Sequence, residues 1–104
     1  MAKNHPRPQG PVSVVPRASF AKDLRKRGLT AEDRVELAAF RELLLTGEPL
    51  PAAYNEHALR EDWAGYLECH LAGDWLVIYK RHPGSVVLYR TGTHGELFTR
   101  KLKR

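Results

Sequence analysis

A mixed α+β domain is what this sequence predicts, and three observations predict it. Helical periodicity is confined to the stretch between Ser19 and Gly47. Strict alternation and short apolar runs fill Trp63 to Thr91, the pattern of strands. Two turn signals, Ala72-Gly73-Asp74 and His82-Pro83-Gly84, cut that second half into three hairpin-linked strands. With a short strand before the helices the order is β-α-α-β-β-β. Hairpin links make an antiparallel twisted sheet, and the two helices must cover one of its faces. The other face, or its rim, is left for function.

Each element has its own signal. Met1 to Pro11 is polar, basic and broken by Pro6, Pro8 and Pro11, so residues 1–11 read as a flexible tail, in which Lys3 and Arg7 are available to touch RNA. Val12 to Val15 is a β-branched run ended by Pro16, which suits an edge strand. Ser19 is placed to cap a helix from Phe20, where Phe20 and Leu24 share a face and Gly28 is the stop. Thr30 is the next N-cap, with Glu32 and Asp33 at the positive end of the helix dipole. Leu37, Phe40 and Leu44 form its apolar stripe, Val35, Ala39 and Leu43 widen it, and Gly47 and Pro49 end it. Leu50 to Asp62 reads as a loop.

The expected strands are Trp63–Leu71, Trp75–Lys80 and Ser85–Thr91. In the first, Trp63, Gly65, Leu67, Cys69 and Leu71 fall on the core face, leaving Ala64, Tyr66, Glu68 and His70 on the other. Leu76-Val77-Ile78 is apolar on both faces, as in a central strand. Gly92 breaks the last strand, and Thr93 to Phe98 has room for one helical turn. Residues 99–104 are a basic tail, so the domain proper is residues 12–98.

The chain has 104 residues, enough for a single core. Its net charge of +5 points to nucleic acid, an anionic surface or an acidic protein partner. The lone Cys69 excludes an internal disulfide and a multi-cysteine metal site. No apolar run approaches the length of a membrane span, and no signal peptide is visible, so a cytoplasmic location is expected.

The residue types with chemical capacity cluster late. His57, His70, Asp74, Arg90 and His94 lie along or beside three successive strands, and neighbouring strands are about 4.8 Å apart. The histidines lack the short helical spacing of a metal site, no phosphate-binding glycine loop is present, and no cofactor is implied. Histidine, aspartate and arginine on a basic domain suit metal-free RNA cleavage. One group takes the 2′-OH proton, another protonates the departing 5′-oxygen, and a cation steadies the phosphorane. The same residues have ordinary uses: Arg90 in an ion pair, Asp74 in a turn, Trp63 and Trp75 in packing. His5 and His82, in a tail and a turn, are ordinary on this reading.

Read in order, these pieces form a recognisable pattern. Phe20-Ala21-Lys22-Asp23, then Leu50-Pro51, Tyr54 and Glu56-His57-Ala58-Leu59, then Trp63-Ala64-Gly65-Tyr66, Glu68-Cys69-His70, Asp74-Trp75-Leu76-Val77-Ile78-Tyr79, Arg90-Thr91-Gly92-Thr93-His94 and Leu97-Phe98 follow one another. From about Val12 to Phe98 the chain resembles the RelE superfamily of bacterial toxins, and within it the YafQ-like mRNA interferases. The resemblance implies a RelE-like fold and the toxin of a type II toxin–antitoxin pair that enters the ribosomal A site and cuts mRNA without a metal.

By the same resemblance the active site comprises His57, His70, Asp74, Arg90, His94 and Phe98. His94 would donate a proton to the leaving oxygen, Asp74 or His70 would serve on the base side, and Arg90 would hold the scissile phosphate. His57 would contact the phosphate or assist proton transfer, and Phe98 would orient a base. Lys22, Arg25, Lys26, Trp75, Lys80 and Arg81 are the expected RNA contacts. The implied partners are mRNA on the 70S ribosome and a small, acidic antitoxin through which alone DNA is reached.

Three positions depart from the pattern. Ala58 stands where the family often has proline, Glu61 where it commonly has glycine, and Leu67 where a polar residue is usual. They keep open an alternative, a toxin-like module that binds antitoxin or ribosome without cutting. A basic DNA-binding domain is a third reading, against which stands the lack of a helix-turn-helix pattern.

Overall fold

The computed structural model describes residues 12–98, so both expected tails, with Lys3, Arg7 and His5, lie outside the described residues. The elements are β1 (Ser13–Pro16), α1 (Ala18–Arg27), α2 (Ala31–Leu45), β2 (His57–Ala58), β3 (Leu67–Ala72), β4 (Trp75–His82), β5 (Ser85–Gly92) and α3 (His94–Leu97). Short 3-10 turns at Ala52–Tyr54 and Glu61–Trp63 flank β2. The five strands form one sheet in the order β1-β5-β4-β3-β2. The α+β class and the two-helix, three-strand order are as the sequence predicts.

The edges of the sheet add to that expectation. β1 pairs with β5 in parallel, Ser13 with Ser85 through Pro16 with Leu88, while the other three pairings are antiparallel. Proline is tolerated there because β1 has one free side. The Arg17 N–H still bonds the Leu88 carbonyl at 2.9 Å before the chain turns into α1. The helix therefore starts at Ala18, two residues before the expected Phe20, and its N-cap is Arg17 rather than Ser19. The Ser19 hydroxyl instead donates to the Tyr89 carbonyl at 2.6 Å, which ties α1 to β5.

α2 is capped as expected. The Thr30 hydroxyl accepts from the Asp33 N–H at 3.0 Å, and the Asp33 carboxylate accepts from the Thr30 N–H at 3.3 Å. Its burial is narrower than expected. Phe40 and Leu44 are buried and Leu37 packs against them, but Val35 is 69% exposed and Ala39 is in solvent. At 100° per residue Val35 and Ala39 fall opposite Leu37, and a single sheet covers only one side of a helix.

Alternation divides the core into two. Cys69, Leu71, Trp75, Val77, Tyr79, Val86 and Leu88 face the helices and pack with Phe20, Phe40 and Leu44. Leu76 and Ile78 face the other way and pack with Trp63 and Leu97. The second face is thus not left wholly to function, because it carries a small core of its own. Trp63 joins that cluster rather than the helix-side core because β3 begins only at Leu67. Gly65, at φ 94°, interrupts the alternation between them. Leu67 packs on the helix-side core as expected. Burying Leu97 is worth about 1.5–3 kcal/mol, which pins the single-turn α3 to the sheet.

Candidate active site

His57 belongs to a strand and not to a loop. β2 pairs with β3 so that His57 lies opposite Glu68, and Glu68 in turn lies opposite Ile78 on β4 and Ile78 opposite Arg90 on β5. One row across the second face therefore reads His57, Glu68, Ile78, Arg90. The next row holds His70, Leu76 and Gly92.

The segment leading into β2 is fixed by Glu56. Its carboxylate accepts from the Tyr79 hydroxyl at 2.6 Å and from Arg81 Nε at 2.8 Å and Nη2 at 3.3 Å. Burial pushes the Tyr79 phenol far up, so it stays a donor. Arg81, one of the expected RNA contacts, is held in this pair. Burial likewise pushes the Cys69 thiol up to about 12, which removes it as a nucleophile.

His57 Nδ1 lies 2.7 Å from the Asn55 carbonyl and Nε2 lies 3.0 Å from Glu68 Oε1. Both neighbours are acceptors, so the ring makes both hydrogen bonds when doubly protonated. Glu68, expected on an open face, is 2% exposed, and its Oε2 has no hydrogen-bond partner. The second-face cluster and β2 close over it.

α3 presents the second group. Thr93 and Glu96 form a reciprocal cap: the Glu96 N–H donates to the Thr93 hydroxyl at 3.2 Å and the Thr93 N–H to the Glu96 carboxylate at 2.8 Å. Gly92 makes room for it, since a Cβ there would stand 2.7 Å from Glu96 Oε1. The cap sets His94 at the first helical position. Asp74 Oδ1, from the β3–β4 turn, is 3.3 Å from His94 Nδ1 and 3.4 Å from the His94 backbone nitrogen. The His70 ring centroid is 6.4 Å from that of His94, and the Phe98 ring centroid is 5.5 Å from it. Both His94 and Asp74 are exposed, so an incoming strand can reach them.

Four of the six expected site residues, His70, Asp74, His94 and Phe98, thus come together. His57 stands on the same face with Glu68. Arg90 is engaged by Asp23 on α1. Its guanidinium bonds Asp23 through Nε at 2.6 Å and Nη2 at 3.1 Å, and Asp23 Oδ2 also accepts from the Thr91 N–H at 3.0 Å. β1 ends at Pro16, opposite Leu88, so among the described residues the rest of that β5 edge has no strand partner, and Asp23 on α1 accepts from the Thr91 N–H there.

The expected RNA contacts divide in the same way. Lys22 and Arg25 are exposed on α1. Lys26 lines a small cavity of about 70 Å³ with Asp23, Arg90 and Glu96. Trp75 is corrected to a packing residue: it is 1% exposed, its Nε1 donates to Thr91 Oγ1 at 2.8 Å, and Arg27 covers its ring at 4.1 Å. That lock holds the chain next to Asp74. Asp23 and Glu68 are the functional neighbours that sequence reasoning passed over, although both stand inside the motif pieces. Among the described residues no three His, Cys, Asp or Glu side chains are grouped as metal ligands would be, and no helix is long and apolar enough to cross a membrane.

Fold and site together define a small α+β protein with an exposed histidine–carboxylate cluster beside a five-stranded sheet. A family model described as the bacterial toxin of type II toxin–antitoxin systems, YafQ, matches residues 12–99. The chain belongs to that YafQ toxin family. The mRNA interferase toxin YafQ of Escherichia coli strain B/BL21-DE3 is 38% identical over 80 residues, 76% of this chain and 87% of the relative. The crystal structure of YafQ from E. coli BL21(DE3) matches with a TM-score of 0.73 at 34% identity, covering 85% of this chain and 99% of that one. A chain of the E. coli DinJ–YafQ toxin–antitoxin complex matches with a TM-score of 0.70 at 33% identity, covering 85% and 98%.

Proposed function

We propose that this chain is an endoribonuclease of the RelE superfamily that cuts mRNA in the ribosomal A site, without a metal, as the toxin of a toxin–antitoxin pair. The observation that carries the reading is the nearness of His70 and His94, ring centroids 6.4 Å apart and planes inclined at 65°, with Asp74 on His94 Nδ1. A phosphodiester laid over the exposed His94 would stand within reach of both rings. His70 takes the proton of the ribose 2′-OH, and the new O2′–P bond forms as the P–O5′ bond breaks. His94 Nε2 delivers the proton to the departing O5′, leaving a 2′,3′-cyclic phosphate and a 5′-hydroxyl. Asp74 then acts through His94, holding its Nδ1–H and the ring's direction. His57, hydrogen-bonded to Glu68, offers a contact on the same face, and Phe98 lies against His94, where a base can rest.

The partner reading draws on the E. coli relative seen with DinJ. A small acidic antitoxin suits a toxin of charge +5 and would carry the DNA contact. A ribosomal substrate implies the cytoplasm. A second reading, binding without cutting, draws support from Arg90, whose guanidinium is engaged by Asp23.

The test is cleavage of A-site mRNA on programmed ribosomes with the 5′ ends mapped. The wild type is expected to cut, and His94→Ala to lose about 10²- to 10⁴-fold in rate. Intact mRNA with the wild-type chain would overturn the enzymatic reading in favour of the second.

A further inference from the structure

A row of rings crosses the second face and ends at the acid–base cluster. From the far side it runs Tyr89, Tyr66, Trp63, Phe98 and His94, with successive centroids 5.0, 5.1, 6.3 and 5.5 Å apart. The irregularity in the β4–β5 pairing builds its outer end. Ile78 pairs with Arg90 and Tyr79 with Leu88, so Tyr89 is the extra residue. An extra residue breaks the period of two, and Tyr89 joins Arg90 on the second face. There the Tyr89 ring meets Tyr66 at 86°, edge to face.

Two cations sit on these rings. Arg17 lies 5.0 Å from the centre of the Tyr89 ring, and Lys80 lies 4.4 Å from that of Tyr66 and 5.9 Å from that of Tyr89. Among the described residues neither Arg17 nor Lys80 has a carboxylate within ion-pair distance. Among the same residues Lys22, Arg25 and Lys26 on α1 also have none, whereas Arg27 pairs with Asp33, Arg81 with Glu56 and Arg90 with Asp23. Tyr66 and Tyr89 are part-exposed, so their rings remain within reach of solvent.

We infer that the part-exposed rings of this row, Tyr66 and Tyr89, with buried Trp63 bracing Tyr66 from the core, are a track for single-stranded RNA, carrying the nucleotides next to the scissile phosphate away from the cluster. The inference deepens the RNA-cleaving reading of the site and rests on it. Aromatic rings with unpaired cations between them are the recurring design of single-strand sites, where bases stack and cations follow the backbone. In the free protein the cations rest on the ring faces. An exposed cation–π contact is weaker than base–aromatic stacking. A base therefore displaces the cation from the ring, and the long Arg17 or Lys80 side chain swings to the adjacent phosphate. A protein partner would have to leave both cations unpaired or bring carboxylates to them. RNA supplies stacking faces and negative charge together.

The experiment is fluorescence anisotropy of a labelled 2′-O-methyl RNA 12-mer, which lacks the nucleophile and is not cut, with the full chain over a salt series. Tyr89→Ala is expected to weaken binding about tenfold, and Tyr89→Phe, which keeps the stacking face, to bind like the wild type. Lys80→Gln is expected to reduce the slope of log K against log salt by about 0.7. Circular dichroism melts accompany each variant. If Tyr89→Ala is unfolded, the Tyr89→Phe and Lys80→Gln results decide the matter.

Three results would overturn the track: no binding of the 12-mer by the wild type, unchanged affinity in Tyr89→Ala and Lys80→Gln, or loss of antitoxin binding in those variants with RNA binding intact. The last would make the face a protein interface. A wild type that binds the 12-mer through Tyr89 and Lys80 yet cuts no mRNA would sink the catalytic reading and leave the track standing.

Discussion

Asp74 Oδ1 touches His94 twice, at the ring Nδ1 and at the backbone nitrogen, 3.3 and 3.4 Å away. One carboxylate oxygen thus steadies both the imidazole and the first turn of the helix that carries it. The contact joins the β3–β4 turn to α3 across 20 residues of sequence.

If Asp74 acts through His94, its effect depends on His94 being present. Asp74→Asn is expected to slow single-turnover cleavage about tenfold, less than the about 10²- to 10⁴-fold loss in His94→Ala. In the His94→Ala background the same change is expected to do nothing further, because coupled residues are not additive. An Asp74→Asn loss that persists undiminished without His94 would make Asp74 an independent proton acceptor.

The Asp23–Arg90 pair makes a prediction of opposite character. Both side chains are 13% exposed, and Asp23 also holds the Thr91 N–H. Asp23→Ala leaves a largely buried guanidinium and an edge N–H without that partner. Stability is expected to fall by about 3–5 kcal/mol, read as a shifted urea midpoint. A loss below about 1 kcal/mol would mean that the freed Arg90 finds solvent or phosphate at once.

Glu61 offers a gain. Its φ is 56°, in the left-handed region that favours glycine. A non-glycine residue there costs about 1–2 kcal/mol. Glu61→Gly relieves that strain but gives the unfolded chain more freedom, so a net gain of about 0.5–1 kcal/mol is expected in thermal or urea melts. Removing a negative charge beside β2 is also expected to tighten RNA binding at low salt. An unchanged or lower melting temperature would count against the strain account.

Much of the scaffold was legible because local signals agreed with the final packing. Thr30 with Asp33, the Gly28 stop, the Phe20–Leu24 face and the three hairpin-linked strands all rest on short-range chemistry. The failures occurred where a distant partner decided. Ser19 had the right side chain for a cap, but the Tyr89 carbonyl, 70 residues on, took its hydroxyl. β2 was invisible because two residues carry no periodicity, and it exists only through its pairing with β3. Val35 and Ala39 looked like core until the sheet proved to cover one side of α2.

The sequence by itself determined the class of fold, the order of its main elements, the family pattern and the residue types that could do acid–base work. The tertiary structure decided how those residues are used. It set Asp74 on His94, gave Arg90 to Asp23 and Arg81 to Glu56, buried Glu68 behind His57 and placed Tyr89 beside Tyr66. A side chain's type is written in the chain, but its partner is chosen by strand register and packing. Among charged groups the nearest opposite charge fixes which remain to meet a substrate.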